Sequence, residues 1–142
     1  TLSSSSAASD VYKRQGPHLQ DEGARLDYIR LFMNCVRHEG ERFQPTESFE
    51  DLADRAADAA LLRDLCTGHA RAIEPAGFDA EGRWLFLLVV CHRQGFFATG
   101  LALAPDGFVE MIDDTLLADG VPVLSERMDG FFVILEPKEA IS

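Results

Sequence analysis

Three cysteines of this chain are each followed closely by a histidine, and these pairs are the pattern that most resembles a reactive site. The pairs are Cys35 with His38, Cys66 with His69, and Cys91 with His92. Zinc binds thiolates and imidazoles in a tetrahedron, so two Cys-x-x-His units could supply four ligands. Cysteine in an apolar segment, however, behaves as a small hydrophobe. We therefore interpret the cysteines as structural and keep a zinc site at Cys35, His38, Cys66 and His69 as the least favoured hypothesis.

Cys91 is also a candidate nucleophile, because a thiolate activated by a histidine can attack an electrophilic carbon. His92 follows it directly in the sequence, but adjacent residues of a strand point to opposite faces. Arg93 is the one cation near it in the sequence that would stabilise a thiolate. We therefore expect no Cys91–His92 dyad.

Glu110, Asp113 and Asp114 form an acidic cluster in the last third of the sequence. On a regular strand Glu110 and Asp114 share one face, so the two carboxylates could bind Mg²⁺ or act as an acid–base pair. The interpretation we favour is a solvated strand end that runs into a polar loop. The glycines form neither a phosphate-binding nor a dinucleotide-binding motif, and we expect no cofactor.

One main helix is predicted over residues 49–66. Ser48 is a good N-cap, and Asp51 stands three residues later in the manner of a capping box. The apolar residues form two stripes rotated from each other, which indicates either one bent helix or two helices broken near residues 54–58. Gly68 is the predicted stop at the C-terminal end.

Residues 26–37 fit two structures. Their apolar positions recur with helical spacing, but the stretch is also rich in the aromatic and β-branched residues of buried strands. Gly40 suggests a hairpin loop, followed by a returning strand over residues 43–46 that Pro45 would place at a sheet edge. We favour the hairpin, and the helix stays open as the alternative.

Strands are predicted downstream of Gly68. Residues 84–92 are apolar on both alternating faces, so this strand is central, and residues 96–104 return after a tight turn. We predict an α+β fold, an antiparallel sheet of five to seven strands with one main helix, about residues 49–66, packed on one face. The predicted core consists of Trp84, Phe86, Leu88, Val90, Phe97, Leu101, Leu103, Val109 and Met111.

One face of this sheet lacks a predicted cover, because one helix cannot cover two apolar faces. Its lining would be Phe96, Ala98, Gly100 and Ala102. The face could form a small-molecule cavity or a homodimer contact. The alternative is that residues 16–36 fold across it.

The beginning of the sequence is unlike the rest. Residues 1–15 are rich in serine, and residues 5–15 resemble the translation of a transposon-type sequencing adapter. We exclude residues 1–15 from the fold as an artefactual segment and expect them to be disordered. We predict a flexible leader over residues 16–25 and a single α+β domain over residues 26–142.

Three segments carry a resemblance to known sequences: residues 28–32 (YIRLF), 47–52 (ESFEDL) and 107–114 (GFVEMIDD). Together they resemble a family of small uncharacterised bacterial proteins, chiefly proteobacterial, of no known activity. The resemblance implies a stand-alone bacterial protein and assigns no catalytic residue.

Composition excludes several classes of function. The chain has 24 Asp and Glu against 13 Lys and Arg, a formal net charge of −11, which repels phosphate backbones. No apolar stretch reaches the ~18 residues of a membrane-spanning helix, and an odd count of three cysteines favours reduced thiols in the cytoplasm.

We therefore predict a small acidic cytoplasmic domain that is non-enzymatic and acts as a homodimer or with a protein partner, without nucleic acid or membrane. The alternative is a small-molecule-binding or enzymatic domain that uses the sheet concavity, with Cys91 and His92 or with Glu110, Asp113 and Asp114.

Overall fold

The structure is a computed structural model that describes Leu19 and residues 21–38, 40–129 and 132–136. Its helices are α1 (Glu22–Cys35) and α2 (Ala59–His69), and its short 3-10 turns are Phe49–Asp51 and Ala53–Arg55. The strands are β1 (Arg37–His38), β2 (Glu41–Arg42), β3 (Gln44–Pro45), β4 (Glu74–Phe78), β5 (Trp84–His92), β6 (Gly95–Leu103), β7 (Val109–Asp119), β8 (Ser125–Asp129) and β9 (Phe132–Glu136). The adapter-like segment 1–15 lies outside the described residues.

The main sheet has five strands, all of them antiparallel to their neighbours. Its order is β3-β5-β6-β7, and β4 also pairs with β5. Since β6 occupies one side of β5 throughout, the short strands β3 and β4 share the other side. The ribbons β1–β2 and β8–β9 complete the strands. The predicted α+β fold and the central position of residues 84–92 are confirmed.

The first helix corrects the favoured interpretation of residues 26–37. The segment is not a strand, because α1 begins at Glu22, where the Asp21 carboxylate caps it by accepting a hydrogen bond from the Gly23 N–H at 2.9 Å. The helix therefore also begins inside the predicted leader 16–25, and Leu19 is buried. The strand predicted at residues 43–46 is present as β3, and Pro45 lies at the sheet edge as expected.

The helix predicted over residues 49–66 is divided, which confirms the alternative of a break near residues 54–58 and corrects the bounds of the main helix. Ser48 and Asp51 make the expected start, with the Ser48 N–H donating to the Asp51 carboxylate at 3.2 Å. The chain then breaks within the region 54–58, and α2 starts afresh at Ala59 with Asp58 as its N-cap. It ends at His69, so Gly68 lies within the helix and is not its stop.

Both faces of the sheet carry a packed core, because the apolar residues of β5 alternate between them. The even-numbered residues, such as Phe86 and Leu88, pack with Ile29 and Met33 of α1. The odd-numbered Val89 and Cys91 pack with Leu62 and Cys66 of α2. The predicted core is largely confirmed on the α1 face, although Trp84 and Phe97 are only partly buried and Met111 is 37% exposed.

Candidate functional site

An open groove lies on the α2 face of the sheet, because α2 covers only part of that face. The groove has a volume of about 630 Å³. Its floor is formed by Leu87 of β5 and by Ala98 and Gly100 of β6. One wall is residues 68–71 at the end of α2, and the other is Asp113 and Leu117 of β7. Leu87 is 48% exposed, although it stands on the central strand.

Small residues on β6 make this groove deep. Ala98 and Gly100 face the groove, and the methyl group of Ala98 is the whole side-chain contribution of the two residues. No side chain of β6 therefore fills the space between the two walls. A Cβ atom added at Gly100 would lie 3.5 Å from Ile112 Cγ1 and from Asp113 Cβ, which is an ordinary contact distance. The space above Gly100 is therefore real room that a side chain or a ligand can enter.

The predicted uncovered face is only partly uncovered. Ala98 and Gly100 line the groove as expected, whereas Phe96 is fully buried in the core under α2, and Ala102 is fully buried as well. Helix α1, from the segment 16–36, covers the opposite face. The predicted lining lacked Leu87, Leu117 and the wall at residues 68–71. The sequence did indicate Leu87, because the alternation of β5 places it on the same face as Val89 and Cys91.

The outer strand β7 bears most of the exposed residues of the sheet. Of its residues only Val109 is buried and only Ala118 is half-buried. Two irregularities in its pairing with β6 each insert one extra residue, Ile112 and Leu117. Among the described residues no strand pairs with the other side of β7.

The first of these bulges corrects the predicted geometry of the acidic cluster. Glu110 stands opposite Ala102 and Asp114 opposite Thr99, and these two β6 residues point to opposite faces. Glu110 and Asp114 therefore do not share a face. Glu110 instead binds the Arg83 guanidinium at 2.6 Å, and Asp113 faces the groove.

Asp114 lies in a smaller cavity of about 230 Å³ on the α1 face, together with His38, His92 and Thr99. The His92 ring stacks on Phe43 at a centroid distance of 4.1 Å. Its Nδ1 lies 3.1 Å from the Arg42 carbonyl oxygen and donates to it, since a carbonyl can only accept. Its Nε2 is buried and has no hydrogen-bond partner among the described residues.

Cys91 points away from His92 into the core under α2, as the alternation of a strand requires. Burial raises the pKa of the Cys91 thiol to about 12, and the nearby positive charge of Arg55 offsets this only in part. Burial likewise raises the pKa of Cys66. Both thiols are therefore protonated near neutral pH and are poor nucleophiles and ligands.

The four zinc candidates lie in or just after two different helices. Cys35 is exposed at the end of α1, and His38 follows it in β1. Cys66 is buried on α2, and the His69 ring lies 5.9 Å from that of Phe96. These helices pack on opposite faces of the sheet. Within the described residues no three His, Cys, Asp or Glu side chains form a group able to hold a metal ion.

A cluster of buried charges, which the sequence did not reveal, surrounds the edge strand β3. Arg55 is 1% exposed and donates to the Leu124 carbonyl at 2.8 Å and to Gln44 Oε1 at 3.1 Å. The side chain of Glu126 is fully buried; it accepts from Arg42 Nε at 2.8 Å and lies 3.9 Å from Arg55. Glu41 lies 3.9 Å from the other side of the Arg55 guanidinium.

Comparison with known proteins found no relative of the chain. No protein-family model, curated protein or solved structure matches it. Among the described residues, no helix has the length and apolar character needed to cross a membrane. The groove and β7 are therefore the two features that bear on function.

Proposed function

We propose that this protein is a non-enzymatic interaction domain that binds an extended segment of a partner protein alongside β7. The observation that carries the proposal is β7 itself, an eleven-residue strand at the edge of the sheet whose side chains are almost all exposed. An unpaired edge offers a row of backbone donors and acceptors to which another chain can add as a strand.

Alternation of the backbone hydrogen bonds identifies the groups that such a segment would use. The Ala104 N–H donates to the Phe108 carbonyl at 2.8 Å, next to the pair Leu103–Val109. In an antiparallel pair every second residue exchanges bonds with its neighbour strand, and the others point away. This pattern, carried along β7 through its bulges, turns the backbone groups of Met111, Asp114 and Leu116 outward.

Charge on β7 favours a basic partner over a second copy of this chain. The strand contains Glu110, Asp113, Asp114 and Asp119 and no cation. Like charges placed opposite each other across a strand pair are destabilising, whereas opposite charges are favourable. Apolar Met111 and Leu116 stand between the carboxylates and are 37% and 53% exposed. The segment that fits alternates Lys or Arg with apolar residues.

The same features support the remaining parts of the proposal. The net charge of −11 favours a protein partner over a nucleic acid. Cys35, Cys66 and Cys91 are free thiols, which supports a reducing compartment such as the cytoplasm.

The experiment measures the anisotropy of a fluorescent peptide of alternating valine and lysine as the full chain is added. Leu116→Pro removes an outward N–H and is expected to abolish binding, because proline cannot donate to an added strand. Leu116→Ala keeps that N–H, shortens the side chain, and is expected to bind with at most a severalfold loss. A peptide of alternating valine and glutamate should not bind.

Equal binding of the lysine peptide by the Leu116→Pro variant contradicts strand addition. Light scattering tests whether a second copy of the chain occupies the edge of β7. If the wild-type chain is a dimer and Leu116→Pro is a monomer, the second copy is the occupant and not a partner segment.

A further inference from the structure

We propose that the groove at the end of α2 binds a small organic cation that has an apolar body. The groove's volume of about 630 Å³ lies in the range typical of small-molecule sites. Such sites combine apolar walls with a few polar groups that orient the ligand. This inference does not rest on strand addition, since the groove opens on the sheet face and not at the outer backbone of β7.

The floor of the groove would hold the apolar body. Leu87 is 48% exposed and Leu117 is 39% exposed, and both face this space. Between them Ala98 and Gly100 leave room down to the backbone of β6. A flat or chain-like apolar group lying on β6 would remove both leucine side chains from water, which is the main favourable contribution to binding.

The charge around the groove selects a cation. Asp113 lines it, and its side-chain carboxylate has no hydrogen bond or ion pair with any described residue. The opposite wall is the C-terminal end of α2, where the helix dipole places about half a negative charge. Arg71 and His69 also line this wall; the Arg71 guanidinium binds the exposed Glu74 carboxylate at 3.1 Å, and the His69 ring lies 5.9 Å from that of Phe96.

The test compares two ligands that share one body and differ in charge: phenethylamine, a cation, and hydrocinnamate, an anion. Binding to the full chain is followed by backbone amide chemical shifts in NMR titrations. We expect phenethylamine to bind with a dissociation constant on the order of 1 mM, with shifts concentrated at Leu87, Ala98, Gly100 and Leu117. Hydrocinnamate should bind at least several times more weakly.

Matched variants of neighbouring residues separate the groove from general attraction to an acidic protein. Asp113→Asn is expected to weaken phenethylamine binding about threefold, the scale of a partly exposed ion pair. Asp114→Asn removes the same charge one residue away on the other face of β7 and should leave binding unchanged. Equal losses in the two variants overturn the proposal.

Filling the groove is the second arm of the test. Gly100→Val places a β-branched side chain on a strand where a Cβ has ordinary contacts, so the fold should persist, as its amide spectrum would show. Binding should be lost. Undiminished binding in Gly100→Val, tighter binding of hydrocinnamate, or no binding of phenethylamine to the wild-type chain would each overturn the proposal.

Discussion

At one edge of the sheet, β3 is two residues long and buried beneath a cluster of ions, whereas at the other edge β7 runs for eleven residues in the open. Gln44 of β3 accepts from Arg55, and Arg55 in turn lies against Glu126 and Glu41. β7 carries carboxylates as well, but of these only Glu110 has an arginine partner, Arg83, among the described residues.

The difference shows two ways of preventing uncontrolled pairing at a sheet edge. The strand β3, which shares its side of β5 with the exposed strand β4, is itself short and covered, so it offers no surface to another strand. The edge at β7 carries both charges and two bulges, and each of these features opposes pairing with another strand. We expect the covered edge to contribute stability, and under the proposed strand addition the charges of the open edge would select a chain of opposite sign.

Removing the buried carboxylate should have the largest effect. Glu126→Gln leaves the buried Arg55 guanidinium without its full counter-charge, and we expect the free energy of unfolding to fall by about 3 kcal/mol. Glu110→Gln is the matched control at the open edge, because its side chain is 53% exposed. It should change stability by less than about 1 kcal/mol. Urea unfolding of both variants checks this, and equal losses would contradict the contrast between the edges.

Proline substitutions at adjacent positions of β7 should differ in a similar way. Thr115 stands opposite Ala98 with its N–H directed to β6, so Thr115→Pro should destabilise the fold by about 2 kcal/mol. Leu116→Pro should cost less than about 1 kcal/mol, because the N–H that it removes points outward. Urea unfolding gives both values, and the reverse order would show that the assigned alternation is wrong.

Acid should weaken the covered edge. Burial by itself raises the pKa of Glu126, but hydrogen bonds from Arg42 and the charges of Arg55 and Arg42 outweigh it and hold the pKa below the ordinary 4.5. A carboxylate with a lowered pKa stabilises the fold above pH 4.5, and this contribution is lost as the pH falls through the pKa of the folded state. The stability gap between wild type and Glu126→Gln should therefore narrow below pH 4.5; a constant gap down to pH 3 would contradict it.

The smallest effect on stability is expected where the open edge loses its protecting charge. Asp113→Asn combined with Asp114→Asn should change the free energy of unfolding by no more than about 0.5 kcal/mol, as is usual for exposed positions. It should nevertheless promote self-association through β7, because the repulsion between two copies is reduced. Light scattering at increasing protein concentration measures this. An unchanged mass would show that these two charges do not control pairing.

Local sequence patterns predicted much of the fold. Alternating apolar residues on β5 and tight turns on either side predicted the central strand and the antiparallel order. The small side chains at Ala98 and Gly100 predicted part of the groove. The helix at residues 22–35 was misread because its aromatic and branched residues suit a strand equally well, and the Asp21 cap lay in a segment interpreted as a leader.

Features that depend on pairing between distant parts of the chain could not be predicted from the sequence. The bulge at Ile112, which separates Glu110 from Asp114, is defined only by the register of β7 against β6. Arg55 and Glu126 gave no signal either, since Arg55 stood among the many charged residues of a predicted surface helix. Their burial depends on how β2, β3 and β8 meet around them.

The cluster of buried charges around β3 joins parts of the chain that are synthesised at very different times. Arg55 binds a carbonyl 69 residues further along, and Arg42 binds a carboxylate 84 residues away. During synthesis both arginines emerge long before Leu124 and Glu126 exist. Until Leu124 and Glu126 are made, Arg55 has Glu41 beside it but lacks these two partners, so the covered edge is completed only after residue 126 has been synthesised.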